Sequence, residues 1–245
     1  MSVAEHATQA LLVDLDGTLY RGDGPVRAYA DGVARSLSES DAEKFLSIVE
    51  EYLAHGVGEH TEQELLAATD GWEAVQRLAT LRFDVGRTEL DDAFLASRAA
   101  LAGPELDVEV PGGFLDTLAE LRPSTRIVLA TNSPQLGLAA LLTRIGAAGA
   151  FDEIINSAAK PVGLPRILAH LAEEIGARDA PWRIFSLGDH WHNDIAPARE
   201  FGAATGYIDR FGRADGPADA IAATVEGVLP AITAWARDPD AFHRA

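Results

Sequence analysis

The 245-residue sequence contains no cysteine, so disulfide cross-links, thiolate metal sites and thiol nucleophiles are excluded. Lysine is almost as scarce: only Lys44 and Lys160 occur among 20 basic residues, against 38 acidic ones, for a formal net charge of −18. A surface this poor in positive charge repels nucleic acid and anionic membranes, so neither is expected as a partner. It would attract divalent cations, although an acidic face also serves solubility. A small anionic ligand would need a local positive pocket. Long apolar runs are missing too. The most apolar stretch, Ala220 to Ala236, is broken by Glu226, Gly227 and Pro230, and reads as a C-terminal packing helix, not as a membrane span. The opening Met-Ser-Val-Ala-Glu-His lacks the basic and apolar regions of a secretory signal. A cytoplasmic protein is expected.

What the chain does contain is a 47% hydrophobic composition, enough for a sizeable core. Three near-continuous apolar runs, Ala10 to Asp14, Arg126 to Thr131 and Arg183 to Gly188, read as strands buried on both faces of a parallel sheet. Glu153 to Asn156 and Thr205 to Asp209 are weaker strand candidates. Between them lie apolar stripes of helical period: Leu138, Leu141, Leu142 and Ile145, with Ser133 and Pro134 as a start signal; Leu164, Ile167, Leu168, Leu171 and Ile175; and Ile195, Ala198 and Phe201. This alternation predicts a doubly wound α/β core of residues 1–21 and 109–245. The stretch 22–108 shows no convincing strand. Helical faces at Phe45, Ile48, Val49, Tyr52 and Leu53, at Trp72, Val75 and Leu78, and at Leu90, Phe94 and Leu101 predict an all-helical insert after the first strand. Turn-type clusters at Gly22 to Pro25 and Pro111 to Gly113 mark its edges.

Each of the three strong strands runs out into polar residues, at the end of an open parallel sheet where ligands bind. The first ends in Asp14-Leu-Asp16-Gly-Thr18; carboxylates two apart in extended chain face one side. The third ends in Gly188-Asp189-His-Trp-His-Asn193-Asp194, directing further carboxylates to the same place. Like charges so gathered need protons or a cation, and an all-oxygen set suits Mg²⁺. The second ends in Thr131-Asn132-Ser133-Pro134, where a hydroxyl followed by a helix N-terminus would receive a phosphate. Lys160 precedes Pro161, which biases it towards an extended conformation outside the following helix, and its ammonium could neutralise both a phosphate and a carboxylate.

Taken in order, Asp14-Leu-Asp16-Gly17-Thr18, Thr131-Asn132, Lys160-Pro161 and Gly188-Asp189…Asn193-Asp194 resemble the four motifs of the haloacid dehalogenase (HAD) superfamily. The resemblance implies a Rossmann-like core and a Mg²⁺-dependent phosphatase acting on a small phosphorylated metabolite. Asp14 would be the nucleophile that forms an aspartyl-phosphate, and Asp16 the acid and base. Thr131 and the backbone around Asn132 would hold phosphoryl oxygens, with Gly17 and Thr18 beside them, and Lys160 would balance charge. Asp14, the Asp16 carbonyl, Asp189 and Asp194 would serve the metal. The acid at Asp16 favours a phosphate ester over a haloacid, because the carbon–halogen branch does not use one there. The insert position, between the first and second motifs, resembles a helical C1 cap that closes over the site and excludes water.

Two other functions share parts of this pattern. A phosphotransferase such as a sugar phosphomutase uses the same catalytic set, and a regulatory protein could keep the fold without turnover. His190 and His192 flank Trp191 inside the fourth motif; one histidine is expected at the pocket and the tryptophan on the core. Tyr52, Trp72 and Phe94 are expected in the core of the insert, and Arg21 on the surface. His55 and His60 carry no assigned role.

Overall fold

The computed structural model describes residues 7–103 and 105–244; the first six residues, read above for a secretory signal, lie outside this range. The chain divides into two compact units, one of Met1–Arg21, Glu109–Gln135 and Ile145–Ala245, the other of Gly22–Val108 and Leu136–Arg144.

The first unit is built on six parallel strands in the order β3-β2-β1-β4-β5-β6: β1 (Gln9–Val13), β2 (Thr125–Ala130), β3 (Glu153–Ile155), β4 (Ile184–Gly188), β5 (Ala204–Ile208) and β6 (Ala220–Ala222). This is the doubly wound order of a Rossmann-like fold, in which the strand sequence reverses direction across β1. Every residue of β1 and β4 is buried, because helices cover both faces of the sheet. On one face Leu164, Leu168 and Leu171 of α7 (Leu164–Glu174) pack with Leu12, Val128 and Ile184. On the other, α9 (Val225–Arg237) brings Trp235 to 5.3 Å from the Phe185 ring. Register aligns Val13 with Leu129 and Leu187, so the residues following β1, β2 and β4 share one rim.

The second unit carries no strand among its described residues. Its helices are α1 (Gly24–Ala34), α2 (Glu39–His55), α3 (Gly71–Phe83), α4 (Arg87–Ala100) and α6 (Leu138–Arg144). Tyr29, Val33, Phe45, Val49, Tyr52 and Leu78 form its core. Trp72 and Phe94 pack half-buried against it, and the buried Arg98 guanidinium lies 3.9 Å above the Trp72 ring. His55 and His60 are exposed.

Three local expectations need correction. Ser133-Pro134 does not open a helix: α6 starts only at Leu138, after Gly137 at φ +76°, and it groups with the helical unit. A Cβ on Gly137 would sit 2.1 Å from the Arg98 carbonyl oxygen, so the chain turns there before the helix can start. The stretch Ala220 to Ala236 is not one helix; it begins as the edge strand β6, whose Ala222 carbonyl accepts from the Asp209 N–H at 2.8 Å. Finally, the helical faces expected in the insert omitted α1, although Val26, Tyr29, Ala30 and Val33 stand at helical spacing and are buried in its core; Gly32 lets α1 come within 2.8 Å, measured from a notional Cβ, of Ala93 on α4.

Candidate active site

Asp14 leaves the end of β1 with its N–H bonded to the Leu187 carbonyl at 3.0 Å, which fixes it beside β4. The buried Lys160 reaches it from the loop after β3: Nζ donates to Asp14 Oδ1 at 2.6 Å, to Asp194 Oδ1 at 2.6 Å and to the Ala130 carbonyl at 2.8 Å. All three ammonium protons are thereby used. The Lys160–Pro161 peptide is cis. The loop that delivers Lys160 is held by hydrogen bonds from Ser157 N–H to the Ser133 carbonyl and from Ala158 N–H to the Thr131 carbonyl, both 2.9 Å. Asn132 completes the grip, accepting from the Lys160 N–H at 2.7 Å and donating Nδ2 to the Lys160 carbonyl at 3.0 Å.

Asp194 lies in a π-helical turn, Trp191–Ile195, directly after Asp189 and His190. Turns of this width recur at functional sites. The Ser186 hydroxyl donates to the Asp194 carbonyl at 2.9 Å, and His190 N–H approaches Asp194 Oδ2 at 3.3 Å. Two glycines make room for the acids. A Cβ on Gly188 would lie 2.4 Å from Asp194 Cβ, and one on Gly17, at φ +76°, would lie 1.9 Å from Asp189 Oδ2. Ligand oxygens of Asp14, Asp189 and Asp194 all fall within 4.8 Å of one another.

One lysine therefore faces two carboxylates directly, with further acids beside it. Burial pushes the Asp14 carboxyl up to about 7, and Asp194 and Asp16 add to this against the lowering effect of Lys160. Lys160 is held in its charged form: burial opposes the charge, but Asp14 and Asp194 outweigh it. The cluster is short of positive charge, and its all-oxygen donors fit a hard divalent cation.

Asp16 is placed differently from the other three acids. Its side chain stands apart from the three-carboxylate cluster: Oδ2 accepts from the Ser133 hydroxyl at 2.8 Å and Oδ1 from the Tyr20 hydroxyl. Neither partner was singled out from the sequence for this; Tyr20, four residues after Asp16, was the available signal. Thr131 is buried, and its Oγ1 accepts from Ser133 N–H at 3.0 Å. Thr18 is fully enclosed and its hydroxyl has no hydrogen-bond partner among the described residues, so its side chain presents no surface to a substrate. The Asn132 side-chain amide is engaged by Lys160, and the part of Asn132 expected at the phosphoryl group is its backbone. Arg21 is committed to Glu109 at 3.0 Å and Glu226 at 2.9 Å. Trp191 lies not on the sheet core but over the loop that follows β5, with Nε1–H directed at the Pro217 carbonyl at 3.3 Å.

Comparison with known proteins agrees with this architecture. A predicted phosphoglycolate phosphatase from Haemophilus somnus superposes with a TM-score of 0.64 at 17% identity, over 92% of this chain and 97% of its own. A HAD family hydrolase from Deinococcus radiodurans, solved with phosphate and sodium, gives 0.58 at 20% identity over 96% and 97%. The L-2-haloacid dehalogenase from Xanthobacter autotrophicus gives 0.54 at 19% identity over 92% and 98%. At these identities the likeness is one of fold. No curated protein matches the chain. The sequence model that does match spans residues 8–202, from the strand bearing Asp14 past the turn bearing Asp194, and by it the chain belongs to the haloacid dehalogenase-like hydrolase family.

Proposed function

We propose that the protein is a Mg²⁺-dependent phosphatase that hydrolyses a small phosphomonoester through an aspartyl-phosphate on Asp14. The observation that carries this reading is Asp16: a second carboxylate, two residues from the nucleophile, held by the Ser133 and Tyr20 hydroxyls and outside the three-acid cluster. Cleavage of a carbon–halogen bond expels a halide, which needs no proton. An ester expels an alkoxide, which does, and a positioned carboxyl group supplies it. The phosphate held by the Deinococcus radiodurans hydrolase supports the same substrate class.

In the first step an Asp14 oxygen bonds to phosphorus, the ester P–O bond breaks, and the Asp16 proton passes to the leaving oxygen. In the second, Asp16 takes a proton from water, whose oxygen attacks phosphorus, and the Asp14–phosphorus bond breaks to free phosphate. Lys160 keeps the Asp14 carboxylate paired and oriented between turnovers. Thr131 and the backbone after it face the transferred group, and Asn132 holds Lys160 in register. Asp14, Asp189 and Asp194, with the Asp16 carbonyl, would hold Mg²⁺, which supplies charge neutralisation for the phosphoryl group. The helical unit is proposed as a cap that selects the substrate.

The test is phosphate release from a panel of phosphorylated metabolites with and without Mg²⁺. Activity should vanish in Asp14→Asn and fall by about 10²–10⁴ in Asp16→Asn. Full activity in Asp14→Asn would dismiss the nucleophile.

A further inference from the structure

We infer that Trp191 is a positioning residue for the cation-binding acids, clamping the turn that carries Asp189 and Asp194 against a rigid loop after β5. The inference rests on the cation-binding reading of these acids and adds the loop after β5, which none of the four motifs includes.

Asp194 packs closely against Gly188, where a Cβ would meet Asp194 Cβ and Cγ at 2.4 Å. The same turn carries the half-buried indole of Trp191, two residues after Asp189 and three before Asp194. Its ring lies flush on Gly216: a Cβ at that position would come to 2.2 Å from Cζ2 and 2.3 Å from Cε2. The indole N–H is directed at the Pro217 carbonyl at 3.3 Å. These groups are ring and backbone atoms, and neither can swing aside as the end of a flexible side chain would.

The surface under the ring is itself pinned. Asp209 accepts from the Arg213 N–H at 2.8 Å and the Ala214 N–H at 2.9 Å. The Tyr207 hydroxyl donates to Asp215 at 2.7 Å, and Arg213 pairs with the same carboxylate at 3.2 Å. The loop is thus tied to β5 before Gly216 through Asp215 and Tyr207, and after Pro217 through Asp219, which accepts from the Thr205 N–H and hydroxyl at 2.8 Å. A π-helical turn is a rare, single-turn departure from α geometry. The loop supports it through one ring, so the spacing of Asp189 and Asp194 is set in part by residues about 25 positions away in sequence.

The experiment is Mg²⁺ titration by calorimetry on the full chain, with circular dichroism to verify folding. Trp191→Ala and Gly216→Ala should each weaken Mg²⁺ binding by about tenfold or more, as loss of outer support does at metal sites. Trp191→Phe, which keeps a ring on Gly216, should recover most of that loss. The double variant should bind no worse than Trp191→Ala alone, because the three atoms nearest a methyl at position 216 all belong to the Trp191 ring. Wild-type affinity in both single variants, or losses that multiply in the double variant, would overturn the inference while leaving the proposed hydrolase intact. A wild-type protein that binds no Mg²⁺ would overturn both.

Discussion

Replacing Lys160 by methionine keeps most of the side-chain volume and removes the only cation among the described residues that bonds directly to Asp14 and Asp194. Lys160 is 8% exposed and donates at 2.6, 2.6 and 2.8 Å. The variant leaves two buried carboxylates facing each other, and breaking a buried pair in this way costs about 3–5 kcal/mol. At roughly 2–4 °C per kcal/mol for a chain of this size, the metal-free variant should melt about 6–20 °C lower at pH 8. The deficit has a sign in pH. Asp14 is already raised to about 7 with the lysine present, by burial first and then by its acidic neighbours; without the ammonium it rises further. Protonation then relieves the repulsion, so the gap between variant and wild type should narrow as pH falls from 8 towards 5. Mg²⁺ should narrow it as well, by returning positive charge to the same acids. Lys44→Met is the control, since Lys44 is exposed and stands 3.8 Å from Asp41, a pair worth at most about 1 kcal/mol. Thermal melts of the three proteins at pH 5 and 8, with and without Mg²⁺, decide the matter. A Lys160→Met protein melting within about 2 °C of wild type at pH 8 without metal would refute the charge-deficit reasoning.

Gly17→Ala should weaken Mg²⁺ binding by about tenfold or more in calorimetry, because the new methyl occupies the place of Asp189 Oδ2 and the backbone sits at φ +76°. Mg²⁺ affinity should climb as pH rises from about 5 to about 7 and level off above, since the cation competes with the proton on Asp14, whose carboxyl lies at about 7; titrations in buffers of different ionisation enthalpy should register proton release below that pH. Ser133→Ala should lower kcat by about tenfold with Mg²⁺ affinity unchanged, because it frees Asp16 Oδ2 from its 2.8 Å anchor without touching the three-acid cluster.

The parallel core was legible because its central strands are buried on both faces and so read as unbroken apolar runs. Edge strands carry no such signature. β6 is only Ala220–Ala222, and its middle residue Ile221 is 52% exposed; small side chains let it join the sheet but resemble the helix that follows. In the insert, α1 was legible in principle: Val26, Tyr29, Ala30 and Val33 recur at helical spacing and are buried. Its close approach to α4 through Gly32 against Ala93 carries no such periodic signal. The start of α6 was misjudged because Ser133 has another task. Its hydroxyl bonds to Asp16 and not to a helix terminus, and nothing local distinguishes the two uses of a serine.

The same division runs through the site. Residues that leave strand ends could be gathered from sequence, since a parallel sheet sends consecutive strand termini to one rim whatever happens elsewhere in the fold. Residues that support them could not. Ser133 on Asp16, Asn132 on the Lys160 backbone, and Gly216 beneath Trp191 each join segments whose proximity depends on loop geometry; Tyr20, four residues after Asp16, is the local exception. Side-chain type gave limited guidance here: the Asn132 amide is bonded to the Lys160 backbone, a role not expected of it, and Trp191 looked like core and is bonded to a loop carbonyl. Strand periodicity predicts where charge is collected; it carries no information about what keeps that charge at the right spacing. In this protein the acids themselves demand such restraint. Three carboxylates within 4.8 Å repel one another, one lysine is shared between two of them, and each glycine beside them has surrendered its Cβ to bring them closer. An arrangement that is electrostatically costly when metal-free persists only if the surrounding contacts overdetermine it, so the supporting residues are as necessary to the chemistry as the acids they hold.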